Sequence, residues 1–268
     1  MIKTFGFIYL TISLLLLLYS SFYSPLSFSQ SNKSITIATA PFPTFRYQDD
    51  KGKTVGSDIE IVEQVFAQIG YVVKFDIMPL SRAEHLLKEG KIAGFVTLTK
   101  NPEREQYLLF SDEINTVKDV FFKRKEDKIH WNTLADLKEY RIGESGYNYA
   151  PIFKEAVKNK LLTLVESIKV ESPELMNLEK LKNKRIDLFI CEVSVCWYLI
   201  QSSAGKFANL NYINKEVGDI RPFYLTFSKK YADAEKIRDQ FNTELKKFVA
   251  AGNRKAIYLK YGIMTTLP

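Results

Sequence analysis

Cysteine, histidine and tryptophan are scarce in this chain of 268 residues, with two of each. So few cysteines exclude a disulfide-built scaffold. His85 and His130 stand far apart and at no zinc spacing, which excludes a histidine metal centre. No glycine-rich phosphate loop occurs, and Gly143-Glu144-Ser145-Gly146 lacks the final glycine of a nucleophile elbow. An activated serine or cysteine would need a base that the sequence does not offer. No cofactor and no metal is expected. After residue 29, no stretch approaches the roughly 20 apolar residues of a membrane-spanning helix. Tandem repeats are absent as well.

The charge balance is moderately basic, +7. The surplus is spread over lysines such as Lys154, Lys158, Lys160 and Lys180, which are mixed with acids rather than gathered into a tract with aromatics. It reads as a solvated surface, and nucleic acid is not an expected partner. Such a surface also steers anionic ligands. Residues 1–29 carry Lys3, an apolar leucine-rich run from Phe5 to Tyr19 and a small-x-small site at Ser27-Phe28-Ser29. This is the pattern of a cleaved secretory signal peptide. The cleavage region has no cysteine for a lipid anchor, and the rest is long enough for one large domain or two ordinary ones. Export permits a bridge between Cys191 and Cys196. Their predicted placement, one ending a strand and one inside the next helix, makes two buried thiols the expectation.

Beyond residue 29, short apolar strands alternate with amphipathic helices, the mark of an α/β fold. Ser57-Asp58-Ile59-Glu60 and Ser81-Arg82-Ala83-Glu84 both read as capping boxes that open helices. Strands are predicted over 35–39, 72–77 and 92–98, as βαβ units of one parallel sheet. The polar stretch 125–132 interrupts this rhythm and is the expected first crossing into a second α/β series. An extended segment, 222–228, brings the chain back before two closing helices, 232–251 and 254–261.

Thr97-Leu98-Thr99-Lys100-Asn101-Pro102-Glu103-Arg104 is the most informative segment. A strand ends there with two threonine hydroxyls on one face. Asn101 is a natural N-cap and Pro102 a natural first helical residue, so helix-start amides and the Arg104 fork can converge on a carboxylate. An alternative is a surface arginine on a short capped helix. Glu192 follows the predicted strand 185–190, where α/β sheets place ligands. It is either an ammonium acceptor or a helix-start acid favoured by the dipole. The aromatic turns Pro41-Phe42-Pro43-Thr44-Phe45 and Gly146-Tyr147-Asn148-Tyr149 also follow strands and suit a ligand sandwich or core packing equally. Arg82, beside Leu80, can be read as an acidic-side-chain receptor or as an exposed capping-region arginine.

Together these motifs resemble the extracellular solute-binding proteins of family 3, the polar amino-acid binding components of bacterial ABC importers. The resemblance spans about 34–262. It rests on 35–45, Gly56-Ser57-Asp58-Ile59-Glu60-Ile61, Gly90-Lys91-Ile92, Thr97 to Thr99 with Glu103-Arg104 and Phe110-Ser111-Asp112, 137–143 with Gly146, Arg185-Ile186-Asp187 with Glu192, and 252–262. It implies a type II periplasmic-binding-protein fold, two α/β lobes joined by a two-strand hinge. The expected division is a first lobe over 30–121, a second over 122–222 and a return to the first over 223–268.

By the same resemblance, Arg104 grips the ligand α-carboxylate with Thr97 or Thr99, and Glu192 takes the α-ammonium. Phe42, Phe45 and Leu80 line the side-chain pocket, while Tyr147 and Asn148 approach from the second lobe. Departures are Glu192 where aspartate is usual, Ala93 where an acid is usual, and Tyr147-Asn148 where small hydroxyl residues are usual. The expectation is a periplasmic, monomeric, non-enzymatic protein that hands a small zwitterion, an amino acid, to an ABC transporter permease. Rival readings are a cyclohexadienyl-dehydratase-like enzyme using Glu192 or Glu144, and a sensory binding protein acting in trans.

Overall fold

Strand β1 (Lys33–Thr39) turns Ile35, Ile37 and Ala38 inward. A tight aromatic turn and a hairpin, β2 (Tyr47–Gln48) with β3 (Thr54–Val55), follow it. In this computed structural model residues 33–147, 149–165, 170 and 172–265 are described. The signal peptide expected over 1–29, and Asn148, lie outside them. Gly56 then turns the chain with φ +131, and a Cβ there would collide with the Phe45 carbonyl, so only glycine fits. Helix α1 (Ser57–Gln68), β4 (Tyr71–Ile77), α2 (Leu80–Glu89), β5 (Gly94–Leu98), the single turn α3 (Pro102–Glu105) and β6 (Leu108–Val117) complete the first series.

Neither expected capping box forms at these helices. Gly56 and Pro79 occupy the N-cap positions of α1 and α2, and no side chain caps either helix. Asp58 turns inward to a buried polar cluster instead. Glu60 pairs with Lys260 on a later helix, and Glu84 faces Arg104. At α3 the expectation holds: Asn101 accepts the Arg104 backbone N–H at 2.8 Å and Pro102 is the first helical residue.

A single residue, Lys118, separates β6 from β7 (Asp119–Arg124). Val117 still pairs with Arg221 in the first sheet, whereas Asp119 pairs with Glu192 in the second. The crossing therefore precedes the polar stretch 125–132, and it also precedes the boundary expected after residue 121. The charged pair Lys118-Asp119 at the switch is itself buried, so no exposed polar loop marks it. The second series runs β8 (Arg141–Gly143), α4 (Pro151–Lys158), β9 (Thr163–Leu164), α5 (Pro173–Lys182), β10 (Leu188–Glu192), α6 (Val193–Ser202) and β11 (Leu210–Glu216). The chain returns over 217–220 to β12 (Arg221–Ser228), one or two residues earlier than expected, and closes with α7 (Ala234–Ala250) and α8 (Asn253–Tyr261).

Two five-stranded sheets result, ordered β4-β1-β5-β12-β6 and β11-β7-β10-β8-β9. In the first, β1 runs parallel to β4 and β5, and the return strand β12 is antiparallel to both β5 and β6. Its core packs Ile35, Ile37, Val62, Phe66 and Phe227 against Phe241 and Leu245 of α7. The second sheet buries Phe121, Leu188 and Ile190 on one face and Phe122, Phe189 and Val195 with their neighbours on the other. None of the described helices is long and apolar enough to cross a membrane.

The expectation of two buried thiols is overturned, because Cys191 and Cys196 form a disulfide. Strand β10 passes into α6 without a loop, so the first helical turn folds back over the strand end. The two Cα atoms come within 6.3 Å, inside the range a bridge requires. A bridge closing so short a loop stabilises by about 2 kcal/mol on the chain-entropy estimate. The double variant Cys191→Ser/Cys196→Ser should therefore melt roughly 4–8 °C lower in a chain of this size. Scanning calorimetry checks this, and an unchanged midpoint would refute it.

Candidate functional site

The C-terminal ends of β1 and β5, the second-sheet strands β7 and β10, and the start of β12 meet around a cavity of about 190 Å³. From the first series it is lined by Ala40, Pro41, Phe42, Arg46, Leu80, Phe95, Thr97, Leu98, Thr99 and Arg104. Asp119, Tyr147 and Glu192 come from the second, and Arg221 and Phe223 from the return strand. Seven of the nine expected residues thus share one cavity: Phe42, Leu80, Thr97, Thr99, Arg104, Tyr147 and Glu192. Phe45 does not line it. Its ring is fully buried behind Phe42, stacked at 5.3 Å, because the turn that exposes one phenylalanine buries the next. Arg82 is exposed and away from the cavity.

Arg104 is held by the strand end that precedes it. Its Nη1 donates to the carbonyl and the hydroxyl of Thr99, both at 3.1 Å, and its Nε lies 3.7 Å from Glu84 Oε1. The helix carrying it is one turn long, and Asn101 already takes the Arg104 N–H, so the guanidinium rather than the amides faces the cavity.

Thr97 belongs to a different network, centred on Asp58. The Thr97 hydroxyl donates to Asp58 Oδ2 at 2.9 Å and accepts from Arg46 Nη1 at 2.8 Å. Asn115 Nδ2 donates to Asp58 Oδ1, and Arg46 Nη1 lies 3.4 Å from Oδ2. Arg46 Nε donates to the Ala40 carbonyl at 2.9 Å, and the guanidinium sits over the Phe42 ring at 4.9 Å. Burial raises the Asp58 carboxyl and lowers the Arg46 guanidinium, and their mutual attraction opposes both shifts.

The second-sheet side is acidic. Asp119 and Glu192 are directly opposed on antiparallel strands and so project from the same face. Arg221 Nη2 approaches Asp119 at 2.8 Å. Burial pushes the Asp119 carboxyl up to about 6, and Arg221 pulls it back. Glu192 is the N-cap of α6, accepting the Val195 N–H at 2.8 Å and, more weakly, the Lys118 N–H at 3.4 Å. It is thus the helix-start acid that one reading of the sequence expects, and it also lines the cavity. Burial, reinforced by neighbouring Asp119, pushes its carboxyl up to about 8 despite the opposing backbone N–H groups of Val195, Lys118 and Ser194. Tyr147 meets the Phe42 ring edge-on at 5.6 Å across the cavity. Among the described residues no group of three or more His, Cys, Asp or Glu is placed to hold a metal ion.

Arg46, Asp119, Arg221 and Phe223 escaped the sequence reading. Their only signal was a lone charge beside aromatics: Arg46 after Phe45, Asp119 before Val120-Phe121-Phe122, and Arg221 before Pro222-Phe223.

Two α/β sheets that exchange strands twice and share a cavity at their strand ends form a ligand-binding cleft. The family model of bacterial extracellular solute-binding proteins, family 3, matches residues 35–264, and the chain belongs to this family. No match was found among curated proteins. Solved structures of the same fold include a probable amino-acid ABC transporter extracellular-binding protein, ytmK, from Bacillus subtilis (20% identity, TM-score 0.73, covering 85% of this chain and 97% of that one). An ancestral arginine-binding protein bound to arginine is similar at 21% identity and TM-score 0.69, over 86% of this chain and 99% of its own. The ancestral amino acid-binding protein AncCDT-1, a precursor of cyclohexadienyl dehydratase, is similar at 18% identity and TM-score 0.67, over 85% and 95%. The fold is accordingly that of the type II periplasmic binding proteins, as expected.

Glu192 ties stability to pH. Its folded-state value of about 8 lies above the ordinary 4.5. The native state therefore holds a proton that the unfolded chain has lost. Its contribution is fully present below about pH 4.5 and is lost as pH rises through about 8. Glu192→Gln keeps an oxygen for the Val195 N–H and removes the titration. In urea unfolding the wild-type advantage over this variant should shrink between about pH 5 and pH 8. A constant difference would refute it.

Proposed function

We propose that this solute-binding protein captures an amino acid outside the cytoplasm, as a monomer, and delivers it to an ABC transporter permease after removal of its N-terminal segment. The observation that carries this reading is Arg104, held by Thr99 toward a cavity whose opposite wall presents Glu192. A guanidinium fork suits a carboxylate and a buried carboxyl suits an ammonium. An arriving ammonium favours the charged form of Glu192, so binding releases its proton at neutral pH. Thr97, Thr99, Phe42, Leu80 and Tyr147 supply the remaining walls in this proposal. Closure of the two lobes about Lys118 and 217–220 shifts the open and closed populations toward the liganded form. The similar structures, an arginine-binding protein and a probable amino-acid ABC transporter binding protein, agree with this ligand class.

Replacing Arg104 by alanine should weaken amino-acid binding by about 2–5 kcal/mol, the range for truncating one partner of a desolvated charge pair. That corresponds to roughly thirty-fold or more in Kd. Isothermal calorimetry over a panel of amino acids tests it, and wild-type affinity in Arg104→Ala would overturn the proposal.

One observation favours a second reading. A carboxyl that keeps its proton at neutral pH can act as a general acid, and Glu192 stands at about 8 in a cavity lined by arginines and aromatics. On the enzymatic reading, purified protein converts prephenate or arogenate to an aromatic product, and Glu192→Gln does not. On the transport reading neither substrate is turned over, as ultraviolet absorbance would record.

A further inference from the structure

We infer that Arg46 determines ligand specificity, and that the side chain of the bound amino acid carries a second oxyanion, as in an amino dicarboxylate. This rests on the amino-acid reading above and adds the ligand's charge to it.

Arg46 is only 7% exposed, yet it lines the cavity. Its Nε is used by the Ala40 carbonyl and its Nη1 by Thr97 and Asp58. Among the described residues no hydrogen bond is made by Nη2. The guanidinium is fixed by these bonds and by the rings of Phe42 and Phe223, at 4.9 and 6.0 Å. A buried, immobilised cation with free donors on a cavity wall is a preorganised anion receptor.

Its spacing from Arg104 sets the size of the ligand. Arg46 is tied to Thr97 and Arg104 to Thr99, two residues apart along the chain. Extended backbone places such residues roughly 7 Å apart, so the two forks can hold the two ends of one small dianion. Counter-charges within the protein are already engaged. Asp58 lies behind Arg46 and Asp119 is met by Arg221, while Glu192 is left to the ligand's ammonium on the reading above. A ligand with a cationic side chain would meet Arg46 as a like charge, an arrangement that rejects a wrong partner.

The test is calorimetry on the full protein with L-glutamate, L-glutamine and L-arginine. Wild type should bind glutamate roughly tenfold or more tighter than glutamine and should bind arginine weakest. Removing Arg46 alone would strand the Asp58 charge, so the informative variant is Arg46→Met with Asp58→Asn, its fold checked by circular dichroism. Its glutamate-to-glutamine affinity ratio should fall roughly tenfold or more, whatever the double change costs both ligands together. Glutamine or arginine binding to wild type as tightly as glutamate overturns this inference and leaves the amino-acid reading standing. An unchanged glutamate-to-glutamine ratio in the double variant does the same. Binding of none of the three overturns both. If the double variant does not fold, the wild-type ranking alone decides.

Discussion

The cavity depends on one buried carboxylate. Asp58, fully buried at the second position of α1, gathers Thr97 from β5, Asn115 from β6 and Arg46 from the turn after β1. Those segments are sequence-distant, and each supplies part of the cavity wall or the strand behind it. A charge so placed is costly unless several donors meet it, and here three do. In Ser57-Asp58-Ile59-Glu60 the capping-box pattern is not realised, because Gly56 takes the N-cap position and Glu60 turns to Lys260 and Tyr261, while Asp58 serves the tertiary network. It also fixes which threonine does what, for Thr97 orients Arg46 while Thr99 orients Arg104.

Charge is sorted between the two sheets. The guanidiniums of Arg46, Arg104 and Arg221 all come from segments of the first sheet or its return strand, and the carboxyls of Asp119 and Glu192 come from the second. The Arg221 to Asp119 pair stands beside the two crossings and links the sheets there. On the closure proposed above, opposite charges come together in a site from which water is displaced, where each interaction strengthens. Burial holds the Glu192 carboxyl well above its ordinary range, and Asp119 directly opposite adds to this, with no arginine reaching it among the described ion pairs.

Local signals in the sequence were reliable where local physics decides. The βα alternation and the Asn101 and Pro102 helix start are legible from local signals, whereas the grouping of Thr99 and Arg104 with Glu192 follows only from the family resemblance. Features set by tertiary packing are not legible. Nothing in Val117-Lys118-Asp119 distinguishes one strand from two, since no turn or glycine interrupts the extended chain and only the strand partners differ. The disulfide required knowing that β10 enters α6 without a loop. Phe42 and Phe45 look alike in sequence, and only the reversal of the chain between them, where the Arg46 N–H bonds back to the Phe42 carbonyl, sends one ring to the cavity and the other behind it. Arg46 was hidden because its importance comes from Asp58, twelve residues on.

A shared fold leaves the ligand open, and here the deciding groups are those that the fold does not require. Arg104 and its threonine would serve any amino acid alike. Arg46 adds a fixed positive charge about two residues' length away, and its own counter-ion is buried on the far side from the cavity. A neutral side chain leaves the Nη2 donors of that guanidinium desolvated and unmet, which costs free energy on closure. A cationic one adds repulsion. Only an anionic side chain completes the set that Asp58 begins, so the interaction that holds this wall of the cavity together also selects what closes it.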